Sequence, residues 1–140
     1  MSDTTITKTV FFAASRQTVW SFLTDKDKLG TWFHRAEADL AAGEEYALLR
    51  DDDDGNPQKI CWGEVSIMEP HDRLEYSFTV GPLGGLMTQV AWRLEDVAGG
   101  TRLTLHHSGI AANEETLGLV MALDAGWDAH LGDLRKLAAA

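Results

Sequence analysis

Four places in this sequence of 140 residues carry side chains capable of chemistry. The run Asp51-Asp52-Asp53-Asp54-Gly55 offers the carboxylate oxygens that hard cations take. His106 and His107 are adjacent, Asp124 falls within an apolar C-terminal segment, and Cys61 is the lone thiol. A calcium loop with Gly55 at its sixth position would need Asp first and Glu twelfth; those places hold Arg50 and Cys61, so the motif fails at both ends. The acidic run reads instead as a solvated hairpin tip.

Neighbours on a strand point to opposite faces, so His106 and His107 cannot share a metal. By parity His107 joins Leu103 and Leu105 facing inward, and His106 joins Arg102 and Thr104 outside. An inward histidine is either a core residue hydrogen-bonded to a neighbour or a group that orients a ligand or moves a proton. Asp124 lies three residues before Trp127 and three or four after Val120 and Met121, on or beside a helical apolar stripe. It either pairs with His107 across an interior or turns to the edge of the stripe and reaches solvent; the cost of a buried ion pair favours the edge. Cys61, with only Lys59 as a basic neighbour, reads as an apolar filler and not a nucleophile. Ser15, Ser66 and Ser108 lack a G-x-S-x-G elbow, and the glycine-rich residues 81–85 lack the Lys-Ser/Thr of a phosphate loop. That loop reads as a hairpin, with Leu83, Leu86 and Met87 as a lid in the functional alternative. No catalytic residue, metal ligand or cofactor is assigned.

The elements that position these groups follow from periodicity. Residues 4–12 are rich in β-branched side chains, with Ile6, Val10 and Phe12 on one parity and Lys8 interrupting them, which predicts a strand. Ser15 then offers an N-cap for a helix carrying Val19, Phe22 and Leu23, and Thr24-Asp25 a second cap for a short helix with Leu29, Trp32 and Phe33. From residue 44 the period becomes two, predicting strands over 44–50, 58–68, 73–80, 87–95 and 101–107 with Gly-, Pro- and Asp-rich turns between them. Residues 113–138 carry Leu117, Val120, Met121, Trp127, Leu131 and Leu134 on one stripe, predicting a long helix that faces the sheet. The fold class expected is α+β: a curved antiparallel sheet wrapped around the C-terminal helix, with two short helices after the first strand, in one domain over residues 1–140.

Composition bounds the function. A formal net charge of −10 repels phosphate backbones and anionic lipid, arguing against nucleic acid and membrane surfaces as partners. A single cysteine fits a reducing compartment, and the absence of a leader-like start or an apolar run of about 18 residues predicts a cytoplasmic protein without membrane insertion.

The stretch AASRQTVWSFLTDKDKLGTWF resembles the opening motif of the SRPBCC superfamily, START-like and birch-pollen-allergen-like. GEVSIMEPHDRLEYSF, GGTRLTLHHSGI and Gly126-Trp127 with Leu131 and Leu134 resemble its branch related to the activator of heat-shock-protein ATPase. Nearly the whole chain takes part. Trp32-Phe33 stands where that branch often has a Trp-Trp pair, and a polar acidic loop occupies the first long hairpin. The resemblance implies the helix-grip fold; this fold hosts carriers, receptors, cyclases and co-chaperones, so function needs the site itself.

The function expected is binding of an apolar or aromatic small molecule between sheet and C-terminal helix. Trp92, Leu94, Leu103, Leu105 and His107 on the strands, and Val120, Met121, Asp124 and Trp127 on the helix, are the expected lining. One alternative is an interaction module that regulates a chaperone or another protein partner; another is a cyclase- or hydrolase-type enzyme using His107 and Asp124 as acid and base. Oligomeric state is left open.

Overall fold

The alternating segments pair into one antiparallel sheet, and the two capped segments and the C-terminal stripe become helices, in a computed structural model that describes residues 3–80, 87–111 and 117–138. The chain order is β1 (Asp3–Phe12), α1 (Arg16–Thr24), α2 (Lys26–Trp32), β2 (Glu45–Asp51), β3 (Pro57–Glu69), β4 (Arg73–Val80), β5 (Thr88–Val97), β6 (Gly100–Ala111) and α3 (Leu117–Ala138). In the sheet the strands lie β1-β6-β5-β4-β3-β2, every pair antiparallel, so the first strand returns beside the last and the middle strands form a meander. This is the helix-grip α+β architecture the sequence predicts.

Both caps form. The Ser15 hydroxyl accepts the Thr18 amide N–H at 3.2 Å, and Asp25 Oδ1 accepts those of Asp27 and Lys28 at 2.9 and 3.0 Å. Phe33 lies one residue beyond α2, as its C-cap, which turns its ring off the helix face and into the interior. β6 runs past residue 107 to Ala111 because Thr4 and Asp3 of β1 pair with Ile110 and Ala111, a register reached through the left-handed Gly109 (φ 81).

Inward parity gathers Val90, Trp92 and Leu94 of β5 with Leu103, Leu105 and His107 of β6, all at most 1% exposed. α3 closes over them with Trp127, Leu131, Leu134 and Ala138. Its described residues 117–126 contain no buried position. Leu117 and Met121, expected to face the sheet, are 56% and 64% exposed. An ideal stripe does not register where the surface beneath it ends: burial along α3 begins at Trp127, with Val120 and Leu123 only half-buried against the core. The expected helix start at residue 113 and the lid residues Leu83 and Leu86 lie outside the described residues, whereas Met87 is described and exposed.

Candidate functional site

Where α3 first becomes buried, rings converge from four elements. Trp127 packs edge-on to Trp92 at 5.5 Å between centroids, and Phe33 and Phe78 lie 5.2 and 6.1 Å from it. Trp32 of α2 adds an edge contact to Trp92 at 6.2 Å. Such edge-to-face arrangements suit the ring quadrupoles and fix ring positions as well as burying area.

Two hydrogen-bond chains run through this cluster. Trp127 Nε1–H donates to His107 Nδ1 at 3.0 Å, His107 Nε2 lies 2.7 Å from Thr88 Oγ1, and the Thr88 hydroxyl donates to the Phe78 carbonyl at 2.6 Å. Because the Thr88 proton is committed to Phe78, His107 must carry its own proton on Nε2 and accept on Nδ1. The imidazole is thus neutral with both nitrogens occupied, and burial pushes its pKa down to about 4. In the second chain Trp92 Nε1–H donates to the Tyr76 hydroxyl at 2.8 Å, and burial raises the Tyr76 phenol well above its ordinary value. Among the described residues no buried side-chain nitrogen or oxygen lacks a hydrogen-bond partner. The interior therefore offers ring faces, ring edges and aliphatic walls, not waiting donors and acceptors.

Of the expected lining, Trp92, His107 and Trp127 meet directly, and Leu94 and Leu105 stand opposite Leu103 and Trp92 across β5 and β6. Val120 lies half-buried at their margin. Met121 does not join them, being exposed on α3. Neither does Asp124, which takes the edge placement: it is bound by Lys8 of β1 at 2.6 Å, with Asp128 on the same ammonium at 2.9 Å. The Lys8 pKa is raised, chiefly by the hydrogen bond to Asp124. His107 and Asp124 consequently form no acid–base pair. The signal for this clamp stood in the sequence as a lysine breaking an inward apolar parity opposite two aspartates four apart on a helix.

The expected lining also left out Phe33, named only as an apolar residue of the second short helix, and Phe78 and Thr88. Phe78 and Thr88 had the right parity, with Tyr76 and with Val90 respectively, but no type-based reason to be singled out. His106 points outward to Thr7 as expected, and Cys61 is buried with its thiol pushed up to about 12 by that burial, the state of a filler. The acidic run divides. Asp51 closes β2 and pairs with Arg35 at 2.6 Å, whereas Asp52 Oδ1 accepts the amide N–H groups of Asp54 and Asn56, both at 2.9 Å. Among the described residues no three His, Cys, Asp or Glu side chains converge as metal ligands, and no helix is long and apolar enough to cross a membrane.

A family model described as Activator of Hsp90 ATPase homolog 1-like protein matches residues 13–139. Among solved structures, DynU16, a protein of the dynemicin biosynthetic locus, is 28% identical with a TM-score of 0.76; the match covers 94% of this chain and 46% of DynU16. The chain thus spans under half the length of that relative. CalU16 from Micromonospora echinospora is also 28% identical, with a TM-score of 0.73 and coverage of 93% and 73%. The Aha1 dimer from Colwellia psychrerythraea shares the fold at 17% identity, with a TM-score of 0.78 and coverage of 97% and 96%. No curated protein sequence matches the chain.

Proposed function

The chain belongs to the Activator of Hsp90 ATPase homolog 1-like family, and from that premise we propose that it binds an apolar or aromatic small molecule between the sheet and α3, at the Trp127 cluster. One observation carries the reading: an aromatic cluster built of Phe33, Phe78, Trp92 and Trp127 lies at the point where α3 passes from half-covered to buried. Ahead of that point Val120 and Leu123 pack against the core while remaining half-buried. With interior polar atoms already paired, the ligand is selected by ring stacking and shape, so a flat, weakly polar compound fits best. A 28% identical relative in a biosynthetic locus supports a small-molecule role. Catalysis by His107 and Asp124 has no such support, since each is committed to a different partner.

The test is a thermal-shift and tryptophan-fluorescence screen of aromatic and fatty-acid-like compounds. A ligand of the folded state alone stabilises it by about 2.7 kcal/mol at a hundredfold excess over Kd. Val120→Trp, which fills the half-covered margin, should abolish the response while the protein stays folded. A response unchanged in Val120→Trp, or none from any compound, defeats the reading.

The second reading, an interaction module for a protein partner, is favoured by the exposed Leu117 and Met121 on α3. In that case Met121→Lys removes partner binding and leaves the small-molecule screen silent in both proteins.

A further inference from the structure

On the sheet face turned away from α3, β2, β3 and β4 form the floor of a cleft of about 770 Å³, a volume within the range of small-molecule sites. The floor is made of small groups. Ala47 is buried yet outside the main core, Ser77 lies beside it, and Gly63 carries no side chain because a Cβ there would collide with the Ser77 carbonyl. Trp62, only half-buried and paired across the strands with Ala47, presents an indole to this space.

Charge at the rim is lopsided. Glu45 of β2 and Glu64 of β3 are direct cross-strand partners, and both line the cleft. Like charges directly opposite each other on a sheet destabilise it. Lys59 does not relieve them, since its ammonium goes to Glu37 on the opposite wall at 3.7 Å. Among the described residues neither Glu45 nor Glu64 has a salt-bridge partner. Two uncompensated carboxylates next to an open indole, over a floor too small to fill the space, form a complementary surface for one kind of guest.

We propose that this cleft binds a small organic cation: an amine or quaternary ammonium group carried on an apolar or aromatic body. The ammonium sits between the Glu45 and Glu64 carboxylates, and the body lies on Ala47 and Gly63 against the Trp62 ring. The net charge of −10 draws such a cation toward the protein and repels anionic analogues. The site is independent of the interior proposed above, on the other side of the sheet.

Calorimetric titration of the full chain with benzyltrimethylammonium, benzyl alcohol and phenylacetate at low salt tests this assignment. Saturable binding of the cation is expected, with both other probes at least about tenfold weaker once Val120→Trp closes the interior. Glu45→Gln/Glu64→Gln and, separately, Trp62→Leu should each weaken the cation by about tenfold, with far-UV circular dichroism unchanged. Val120→Trp, which blocks the interior margin, should leave cation binding intact. The proposal is overturned if, in Val120→Trp, the alcohol binds as tightly as the cation or the cation no longer binds, if the double glutamine variant retains wild-type affinity, or if the cation shows no saturation up to about 10 mM.

Discussion

Trp127 of α3 and His107 of β6 are joined by a 3.0 Å hydrogen bond in which the indole N–H is the donor, so the helix is held to the sheet through the neutral form of a histidine. That relationship sets a pH dependence. The folded pKa, near 4, lies below the ordinary 6.5, so between these values the unfolded chain binds the extra proton. Stability from His107 is therefore complete above about pH 6.5 and is lost as pH falls toward 4, by about 3 kcal/mol in all. Urea unfolding across that window should show a steep decline that flattens in His107→Leu. An equal decline in both proteins would place the titrating group elsewhere.

The same contact makes Trp127 costly to truncate. Trp127→Ala removes a ring buried among Phe33, Phe78 and Trp92 and leaves His107 Nδ1 without its donor, for an expected loss of about 3–5 kcal/mol in chemical denaturation. Trp127→Phe should recover most of the packing but not the hydrogen bond, leaving a deficit of about 1–2 kcal/mol. A Trp127→Ala loss under about 1 kcal/mol would contradict the burial of this ring.

Lys8 should couple to the helix acids. Its side chain is largely covered, while Asp124 and Asp128 are half or more exposed, so screening limits the gain. A double-mutant cycle of Lys8→Met with Asp124→Asn should return about 0.5–1 kcal/mol of coupling, most of it lost near 1 M salt. Because the Lys8 pKa is raised, its contribution is present below the ordinary 10.5 and fades only as pH climbs through the higher folded value. A coupling of zero at low salt would mean that the clamp is not populated in solution.

Asp52 and Asp54 separate two meanings of an acidic turn. A uniformly solvated tip would tolerate either substitution, but Asp52 accepts two backbone N–H groups and a third bond from the Gln58 amide at 3.2 Å. Asp52→Ala should cost about 1 kcal/mol by thermal unfolding and Asp54→Ala nothing measurable. Equal effects from the two would return the turn to the solvated description.

What could be read in advance depended on whether a feature was periodic or relational. The inward parity of Trp92, Leu94, Leu103, Leu105 and His107 needs only alternation, and the caps at Ser15 and Asp25 only residue type next to an apolar rhythm; all of these are found. Leu117 and Met121 share the stripe of Trp127, but burial also requires a surface opposite, and periodicity carries no information about where that surface stops. The Trp127–His107–Thr88 chain joins residues on three elements, so parity brings them to one side without choosing partners. The outer cleft was still less legible. Glu45 meets Glu64 only because strand register pairs them, and β2 and β3 slip register just beyond, between Leu48 and Leu49.

That register leads to the remaining prediction, which does not require any ligand. If Glu45 and Glu64 repel across β2 and β3, neutralising one should stabilise the sheet: Glu64→Gln should raise the melting temperature by about 1–2 °C at low salt. The difference should shrink near 1 M salt, because the wild type gains from screening what the variant gains from its lost charge. Glu44→Gln, one residue away and outside the pair, serves as the comparison and should change little. A lower melting temperature for Glu64→Gln would show that the carboxylate has a stabilising partner in solution, and the two acids would then no longer stand as an uncompensated pair.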